Sequence, residues 1–540
     1  TAQQSRNQIK QAPHDASPHN WVSRLNWRRV MERFVKRYAD RIVGSIAGFD
    51  RILFRGNLSS LCHVGGMDRF LSSQRVLYKD FSVFVQRFSQ RVKERAEQIA
   101  KESGRPVIHL SSPKESKEAL VREIIERDQI TAGLICVLTC VEPCGSFSIR
   151  GDRTSKQLKL VAETRQCQHL YFYFLDAEFG LLHVRLQTWL PLTIQVCING
   201  REYLARQLLR ERISFTQADN CFTAIGDFER AQQLSDQLVT RKWKPFLDAL
   251  ARRVNPWLER KSEIRLHSYY WTIRQGEYAT DILFRDPPAL ADIYPALIEH
   301  AVNHFHTEDV LRFLGRKARS IGSGEVKSSL QRRFEGVRIK HWLHENSIKM
   351  YDKQGSVLRI ETTINKPERF RVRRRKNKQS SFAWLPLRKG IADIRRRVQL
   401  SRAANERYLQ ALAVVGEPTP SYKLLDQVSQ PIVRGQQRFR ALRPVSPEDS
   451  ALFEVLLDGK FSLQGTRNKD IRQQLWPTPQ DKQQERKVAA RVTRSLTLLK
   501  SHNLIYRVSK TNYYRTTKLG DQVMNTALKF RKSNMALLAA

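Results

Sequence analysis

Ile348-Lys349-Met350-Tyr351-Asp352-Lys353 runs into a turn at Gln354-Gly355 and returns as Val357-Leu358-Arg359-Ile360-Glu361-Thr362-Thr363-Ile364. Both arms alternate apolar with polar residues around a glycine-containing turn, the pattern of a half-buried β-hairpin. The second arm continues through Asn365-Lys366-Pro367 into Arg369, Arg371, Arg373, Arg374, Arg375, Lys376 and Lys378, the most cationic segment of the chain. A hairpin bearing Asp352 and Glu361 is thus joined directly to a grip for a polyanion.

The whole chain supports the grip. Across 540 residues, 94 Lys+Arg stand against 53 Asp+Glu, a net charge of +41 and a pI near 10.4. Such an excess repels itself, and a polyanionic partner offsets it. Nucleic acid comes first, because phosphate neutralisation with counterion release supplies most non-specific affinity. That means DNA, with RNA as a second ligand. A membrane partner is not expected, since no apolar run approaches the roughly 18 residues of a spanning helix. Hydrophobic content of 41% and nine Trp mark a folded chain rather than a disordered one.

Seven cysteines, an odd number with no signal-peptide pattern, fit a reducing cytoplasm, and with DNA as ligand a nucleoid-associated location. Cys136, Cys140 and Cys144 are four apart; on a strand that spacing separates side chains by about 13 Å, too far to share an ion. They read as structural thiols.

Taken in order, the chain divides into five parts. Residues 1–30 lack an apolar period and read as a flexible or non-native arm. Residues 31–315 read as a mixed α/β body. Within it Phe70 to Glu102 is a long amphipathic helix, and strands alternate with helices as far as residue 141, which predicts parallel pairing there. Leu170–Leu175 and Leu181–Trp189 form a hairpin across Asp176–Gly180. Residues 255–290 read as short strands and 318–336 as a loop. Residues 316–415 hold the opening hairpin, the basic run and one long helix from Leu387 to Val415. Residues 416–445, with Pro418, Pro420, Pro431 and Pro444, read as a linker. Residues 446–540 form a compact C-terminal module.

That module has the most specific local signals. Ser446-Pro447-Glu448-Asp449 combines an N-cap, proline at the first helical position and an acidic first turn. Helices follow over Arg467–Trp476 and Gln483–His502, then two short strands around Ser509–Asn512. Arg491, Arg494, Leu496, Leu499, Leu504, Ile505, Thr517 and Gly520 resemble the pattern of MarR-type winged-helix domains, over about 85 residues. From Met31 onward the chain also looks like a bacterial family that takes its MarR-like label from this module alone. The resemblance implies a C-terminal winged helix whose third helix enters the major groove with Lys487, Arg491 and Arg494. Arg507, Lys510 and Arg515 would hold backbone phosphates from the wing. It also implies a homodimer as an option, although no extended heptad pattern demands one.

Chemistry in the body rests on carboxylates. Lys349-Met350-Tyr351-Asp352-Lys353 followed by Arg359-Ile360-Glu361 resembles a pattern in rolling-circle replication initiators. The resemblance implies a nicking tyrosine, Tyr351, beside metal-bound carboxylates Asp352 and Glu361. The family's His-x-His metal pair is absent, and His341 and His344 lie three apart outside the hairpin. Independently, Asp50, Asp281 and Glu361 sit on predicted strands and form a candidate cluster for Mg²⁺ or Mn²⁺, with Glu361 and Asp50 as metal ligands. The Ile-Leu-Phe-Arg shared by residues 52–55 and 282–285 hints at equivalent strands. No phosphate-binding Gly-x-x-x-x-Gly-Lys loop, Gly-x-Ser-x-Gly elbow or His-Glu-x-x-His helix is present.

Lys366 to Arg402 carries fourteen Lys or Arg against Glu368 and Asp393, with Phe370, Phe382 and Trp384 interleaved for stacking on bases. Arg371, Arg373, Arg374, Arg375, Lys376, Lys378, Arg388, Lys389, Arg395, Arg396 and Arg397 are its candidate phosphate contacts. The leading expectation is a nucleic-acid-binding protein that reads duplex DNA with the module and grips a further DNA or RNA segment with the body. The alternatives are a metal-dependent nuclease or strand-transfer enzyme of a mobile element, and a protein that clamps structured RNA.

Overall fold

Every residue of the returning arm, Val357–Ile364, is buried. That is more than the half-burial its alternation predicts, because the arm is an inner strand of a large sheet with cover on both faces. A computed structural model describes residues 32–533 apart from 153, 155, 260, 261, 265, 316–325, 334, 335, 378, 416–420, 459, 460, 462–464, 478–480 and 510. Residues 1–30 and the candidate contacts Lys378 and Lys510 lie outside the described residues.

The strands in chain order begin with β1 (Ile42–Asn57), β2 (Val107–His109), β3 (Gly133–Asp152), β4 (Gln157–Asp176), β5 (Gly180–Gln187) and β6 (Ile194–Asn199). A separate hairpin, β7 (Phe215–Ala218) and β8 (Cys221–Ile225), follows. Then come β9 (Tyr270–Phe284), β10 (Val326–Arg333), β11 (Gly336–Leu343), β12 (Asn346–Lys353) and β13 (Val357–Ile364). Eleven of these form one sheet in the order β10-β11-β12-β13-β9-β1-β6-β5-β4-β3-β2. The sheet is mostly antiparallel. The parallel pairing expected in the first third is confined to β2 and β3, where α2 provides the crossover.

Three further expectations give way to longer-range pairing. The short strands expected over 255–290 are one 15-residue strand, β9. The expected loop over 318–336 contains β10, whose register against β11 runs from Val326–Leu343 to Arg333–Gly336. The two Ile-Leu-Phe-Arg segments are not equivalent: they lie on β1 and β9, neighbours that pair antiparallel with Ile46 opposite Asp281.

The helices that matter here are α1 (Phe81–Glu102), α2 (Lys117–Arg127), α3 (Gly200–Arg210), α4 (Phe228–Thr240), α5 (Trp243–Val254), α6 (Tyr294–His304), α7 (Thr307–Phe313) and α8 (Ile394–Leu412). The single helix expected from Phe70 is broken, because Arg75 takes a left-handed φ of 54° between Val64–Ser73 and α1. The helix expected from Leu387 starts only at Ile394, after a 3₁₀ turn.

Two continuous cores cover one face of the sheet. Val85, Phe88 and Val92 of α1 and Leu247 of α5 pack on Ile52, Phe54, Phe172 and Val196. Leu297 of α6, Val310 of α7 and Tyr408 and Leu409 of α8 pack on Ile348, Met350, Leu358 and Ile360. Among the described residues, the opposite face is covered locally. Leu204 and Leu208 of α3, with Phe222 of β8, close over Ile46, Leu283 and Val357. Val121 and Ile124 of α2 close over Leu138, Tyr171 and Tyr173. The rest of this face is polar, as alternation requires where one side of each strand already faces a core.

Between β13 and α8 the basic run folds back on itself as β14 (Arg371–Arg375) and β15 (Phe382–Pro386). Residues 421–445, read as linker, contain a short helix and the hairpin β16 (Ile432–Arg434) and β17 (Gln437–Phe439). They bury Val428 and Leu442 in the C-terminal core. That core holds Phe453 of α9 (Pro447–Leu456), Ile471 of α10 (Asn468–Leu475), Val492, Leu496 and Leu499 of α11 (Lys482–Ser501), and Val523, Met524 and Leu528 of α12 (Lys518–Lys532). Between α11 and α12 lie β18 (Ile505–Arg507) and β19 (Tyr514–Thr516), and Thr466 bridges to Tyr514.

The sequence motif Thr517-x-x-Gly520 now has a physical reason. Thr517 caps α12 by accepting from the Gly520 N–H, and a Cβ at Gly520 would lie 1.9 Å from the Leu504 carbonyl oxygen. Gly520→Ala is therefore expected to destabilise the C-terminal module by about 1–3 kcal/mol. Chemical unfolding followed through module and body probes would show the loss in the module alone.

Candidate functional site

The three carboxylates picked from separate strands do converge, and the hairpin is what brings them together. Register places Tyr351 opposite Arg359, and Arg359 opposite Asp281 of β9. Asp50 comes from β1 at the irregularity between Phe49 and Arg51, which turns its side chain toward the same point. Arg359 occupies the centre, fully buried. Its Nε and Nη2 donate to the two oxygens of Asp281 at 2.6 and 2.9 Å, and its Nη1 donates to Asp50 at 3.0 Å. Its Nη2 also reaches the Asn220 carbonyl at 2.7 Å. Arg201 of α3, equally buried, adds a second guanidinium 2.9 Å from Asp281. Asn220 donates to both oxygens of Asp50 at 3.1 Å.

Glu361 forms the neighbouring half of the cluster. Lys349, directly opposite on β12, donates to it at 2.5 Å, and the Tyr351 hydroxyl donates at 2.6 Å. Burial alone would raise the Glu361 pKa, but Lys349, Tyr351 and Arg359 together hold it below its ordinary value. Asp50 moves the other way: burial raises it, and Glu361 and Asp281 outweigh part of what Arg359 and Arg201 return. Glu277, two residues along the same face of β9, is also raised by burial and by Glu361. Tyr351 is pushed well above the usual tyrosine range, by burial first and then by Glu361.

These contacts decide what the cluster can do. A two-metal nuclease needs carboxylate oxygens that face open space and each other. Here guanidinium and ammonium groups of the chain sit at the position between the acids, and each acid is charge-paired to one of them. Among the described residues, no three His, Cys, Asp or Glu are grouped to hold a metal ion. Glu361 and Asp50 thus face cations rather than a metal cavity. The Tyr351 hydroxyl is spent on Glu361. Asp352 does not join, because the two-residue period of β12 turns it to the other face, where its backbone N–H meets the Tyr294 hydroxyl at 3.1 Å. The arrangement is an electrostatic clamp on three strands. Lys349 and Arg359 were legible as cross-strand partners in the hairpin, whereas Arg201 and Asn220 carry no sequence signal linking them to it.

The candidate phosphate contacts separate into exposed and structural groups. Arg375, Lys376, Arg388 and Lys389 are exposed; Arg373 and Arg374 are half-buried, and Arg371 is exposed but donates to the Trp384 carbonyl. Arg397 is not available: it is buried and donates to the Ile364 and Ile273 carbonyls at 2.8 and 3.3 Å, fixing α8 to the sheet. Arg396 pairs with Asp393 at 2.6 Å, and Arg395 beside it is half-buried. Phe370 is core and Trp384 packs on Phe461 of the C-terminal module, so only Phe382, held under Arg373 and Arg375, stays exposed for stacking.

In the C-terminal module, Lys487 and Arg494 of α11 are exposed, and Arg491 pairs with Glu448 at 2.7 Å over the Trp476 ring. Arg507 is exposed on β18. Arg515, expected on the outer surface, instead lines a cleft of about 2030 Å³ between the body and the module. It lies there with Glu406, pushed up to about 7, and Asp521, pushed up to about 6, each mainly by burial. The basic hairpin meets the module nearby: Arg373 and Arg467 both lie over the Tyr513 ring, at 5.1 and 5.3 Å. No family model, curated protein or solved structure matches the chain.

Removing the central cation leaves buried Asp50 without a counter-charge and Asp281 with Arg201 alone. Arg359→Ala is expected to cost about 3–5 kcal/mol in equilibrium unfolding. Glu361→Gln tests the sign of its shift. A carboxylate held below its ordinary 4.5 stabilises the fold above that pH and loses the contribution as pH falls through its folded value. The variant should therefore unfold more readily than the parent at pH 7, and the gap should narrow as pH falls below the ordinary carboxylate range.

Proposed function

We propose that this chain is a nucleic-acid-binding protein whose C-terminal module is a winged helix set against duplex DNA. One observation carries the reading: the first half of α11, Lys482 to Arg491, contributes no buried side chain. Of α11 only Val492, Leu496 and Leu499 are buried in the core, so more than two turns present Lys482, Arg486, Lys487 and Arg491 to solvent, tied at one side to α10 through Asn468 on the Ala489 carbonyl and Arg472 on Glu485. A helix that projects polar and basic, behind two others and ahead of a hairpin, has the form that enters a major groove. Arg507 on that hairpin and Arg373, Arg375, Arg388 and Lys389 beside it extend the cationic surface, which positions on phosphates without reading sequence. A nucleoid-associated place in the cell follows from this reading.

The charge cluster around Arg359 supports a structural role over cleavage, since Asp50, Asp281 and Glu361 are already satisfied. Duplex binding by the full chain, followed by anisotropy, should fall steeply with salt, by about 10³ or more between 50 and 200 mM if six or more phosphates are engaged. Lys487→Ala with Arg494→Ala should weaken it and reduce the salt slope by about two. Duplex incubated with Mg²⁺ or Mn²⁺ should stay intact. Unchanged affinity in the double variant, or metal-dependent cleavage lost in Glu361→Ala, would overturn the proposal.

A further inference from the structure

Like charges directly opposite one another across strands are destabilising, and the polar face of the large sheet contains one such place and a second where arginines gather without facing each other in register. On β11 and β12, Lys340 stands directly opposite Lys349, with Arg338 two residues along β11. Glu361 neutralises Lys349. Burial, Lys349 and Arg338 press the Lys340 ammonium below its ordinary value against the opposing pull of Glu361 and Glu277, and it lies 4.4 Å over the Trp342 ring. In mid-sheet, register aligns Arg185 of β5, Gln195 of β6 and Arg55 of β1 in one row. Arg274, the extra residue of a bulge in β9, stands close enough to repel Arg55. Arg185 has Glu142 at 2.7 Å. Arg55 donates only to Asn57, and among the described residues neither it nor Arg274 forms a close ion pair with a carboxylate, although the charge of Arg274 acts on Glu345.

Between these places the face stays polar. The row Asn199, Arg51, Glu277, Thr363, Ser347, Trp342 and Lys327 crosses seven strands by direct pairing. Among the described residues, helices cover this face over β3 to β5 and over the Asp281 end of the inner strands. Asp50, Asp281 and Glu361 lie deep at that covered end and Glu277 is half-buried in the row, while Arg51, Arg274 and Lys327 are exposed. Cations held against cations on a half-open face are stabilised by an anion laid over them.

We infer that this face is a second nucleic-acid site that takes an unpaired strand, with phosphates on Arg55, Arg274 and Lys340 and a base on Trp342. The inference rests on the nucleic-acid reading above but not on the winged helix. An unpaired strand fits better than a duplex because its bases are free to stack on a ring while its backbone follows the cations. When a base takes the Trp342 face, Lys340 moves from the ring to a phosphate.

The test is anisotropy of the full chain with labelled oligothymidylate and oligouridylate, both longer than roughly 16 nucleotides, beside the duplex. Arg55→Gln with Arg274→Gln should weaken the single strand at least about tenfold and flatten its salt slope by about two. Trp342→Leu should weaken it about tenfold. Duplex affinity should stay within about twofold in both. Arg274 is exposed, so its replacement leaves the fold intact, and Arg55→Lys with Arg274→Lys should retain binding. A preference between the two oligomers assigns DNA or RNA. Single-strand binding that is absent, or unchanged in both variants, or lost only in step with duplex binding, overturns the inference. Single-strand binding that persists when Lys487→Ala and Arg494→Ala leave duplex affinity untouched overturns the winged-helix reading instead.

Discussion

The middle of this protein is held by one guanidinium. Arg359 ties β13 to β9 through both oxygens of Asp281, to β1 through Asp50, and to the β7–β8 turn through the Asn220 carbonyl. Charges buried this deeply are tolerable only when every partner is in place, because desolvation costs several kcal/mol per ion and good geometry must offset it. The cluster therefore specifies register. A one-residue slip of β13 would turn Arg359 and Glu361 into the apolar core and bring Leu358 and Ile360 to the polar side. Such a fold is fixed less by the strength of the ion pairs than by the cost of every alternative.

That choice shapes the rest of the face. With α8 and its neighbours covering the apolar side, the inner strands place Arg359, Glu361, Glu277 and Lys349 on the other. Among the described residues α3, α4 and the β7–β8 hairpin seal the acidic end. The acids are drawn inward to meet Arg359, Arg201 and Lys349, and the unmatched cations are left nearer solvent. A chain with a net charge of +41 thus hides carboxylates at its centre and displays the excess outside.

The C-terminal module docks on the body rather than standing apart from it. The basic hairpin docks on it through Trp384 against Phe461 and Arg373 against Tyr513, and Arg312 of α7 donates to Asn525 of α12 at 2.6 Å. The cleft between the two carries Glu406 and Asp521, whose raised values bring their ionisation near neutrality. Protonated, they cost little to bury there. Their contribution to stability is complete below their ordinary carboxylate range and is lost as pH rises toward 6 to 7.

Much of this was legible in the residues alone. Alternation about Gln354-Gly355 is a local property, so the β12–β13 hairpin and the Tyr351–Arg359 and Lys349–Glu361 pairs follow from sequence. Helix caps such as Ser446 and Thr517 are local too. So is the charge excess, which points to a polyanion whatever the fold. What the sequence could not determine is how distant segments share space. The eleven-strand order, the length of β9, and the meeting of Asp50, Asp281, Arg201 and Asn220 depend on contacts between residues up to 309 positions apart, as with Asp50 and Arg359. Composition marked Arg397 as a phosphate contact and Asp50 as a metal ligand. Burial made the first a strut between α8 and the sheet, and the second the partner of a guanidinium. A charged residue acquires its role from what desolvates it and what faces it, and both are set only when the chain has closed.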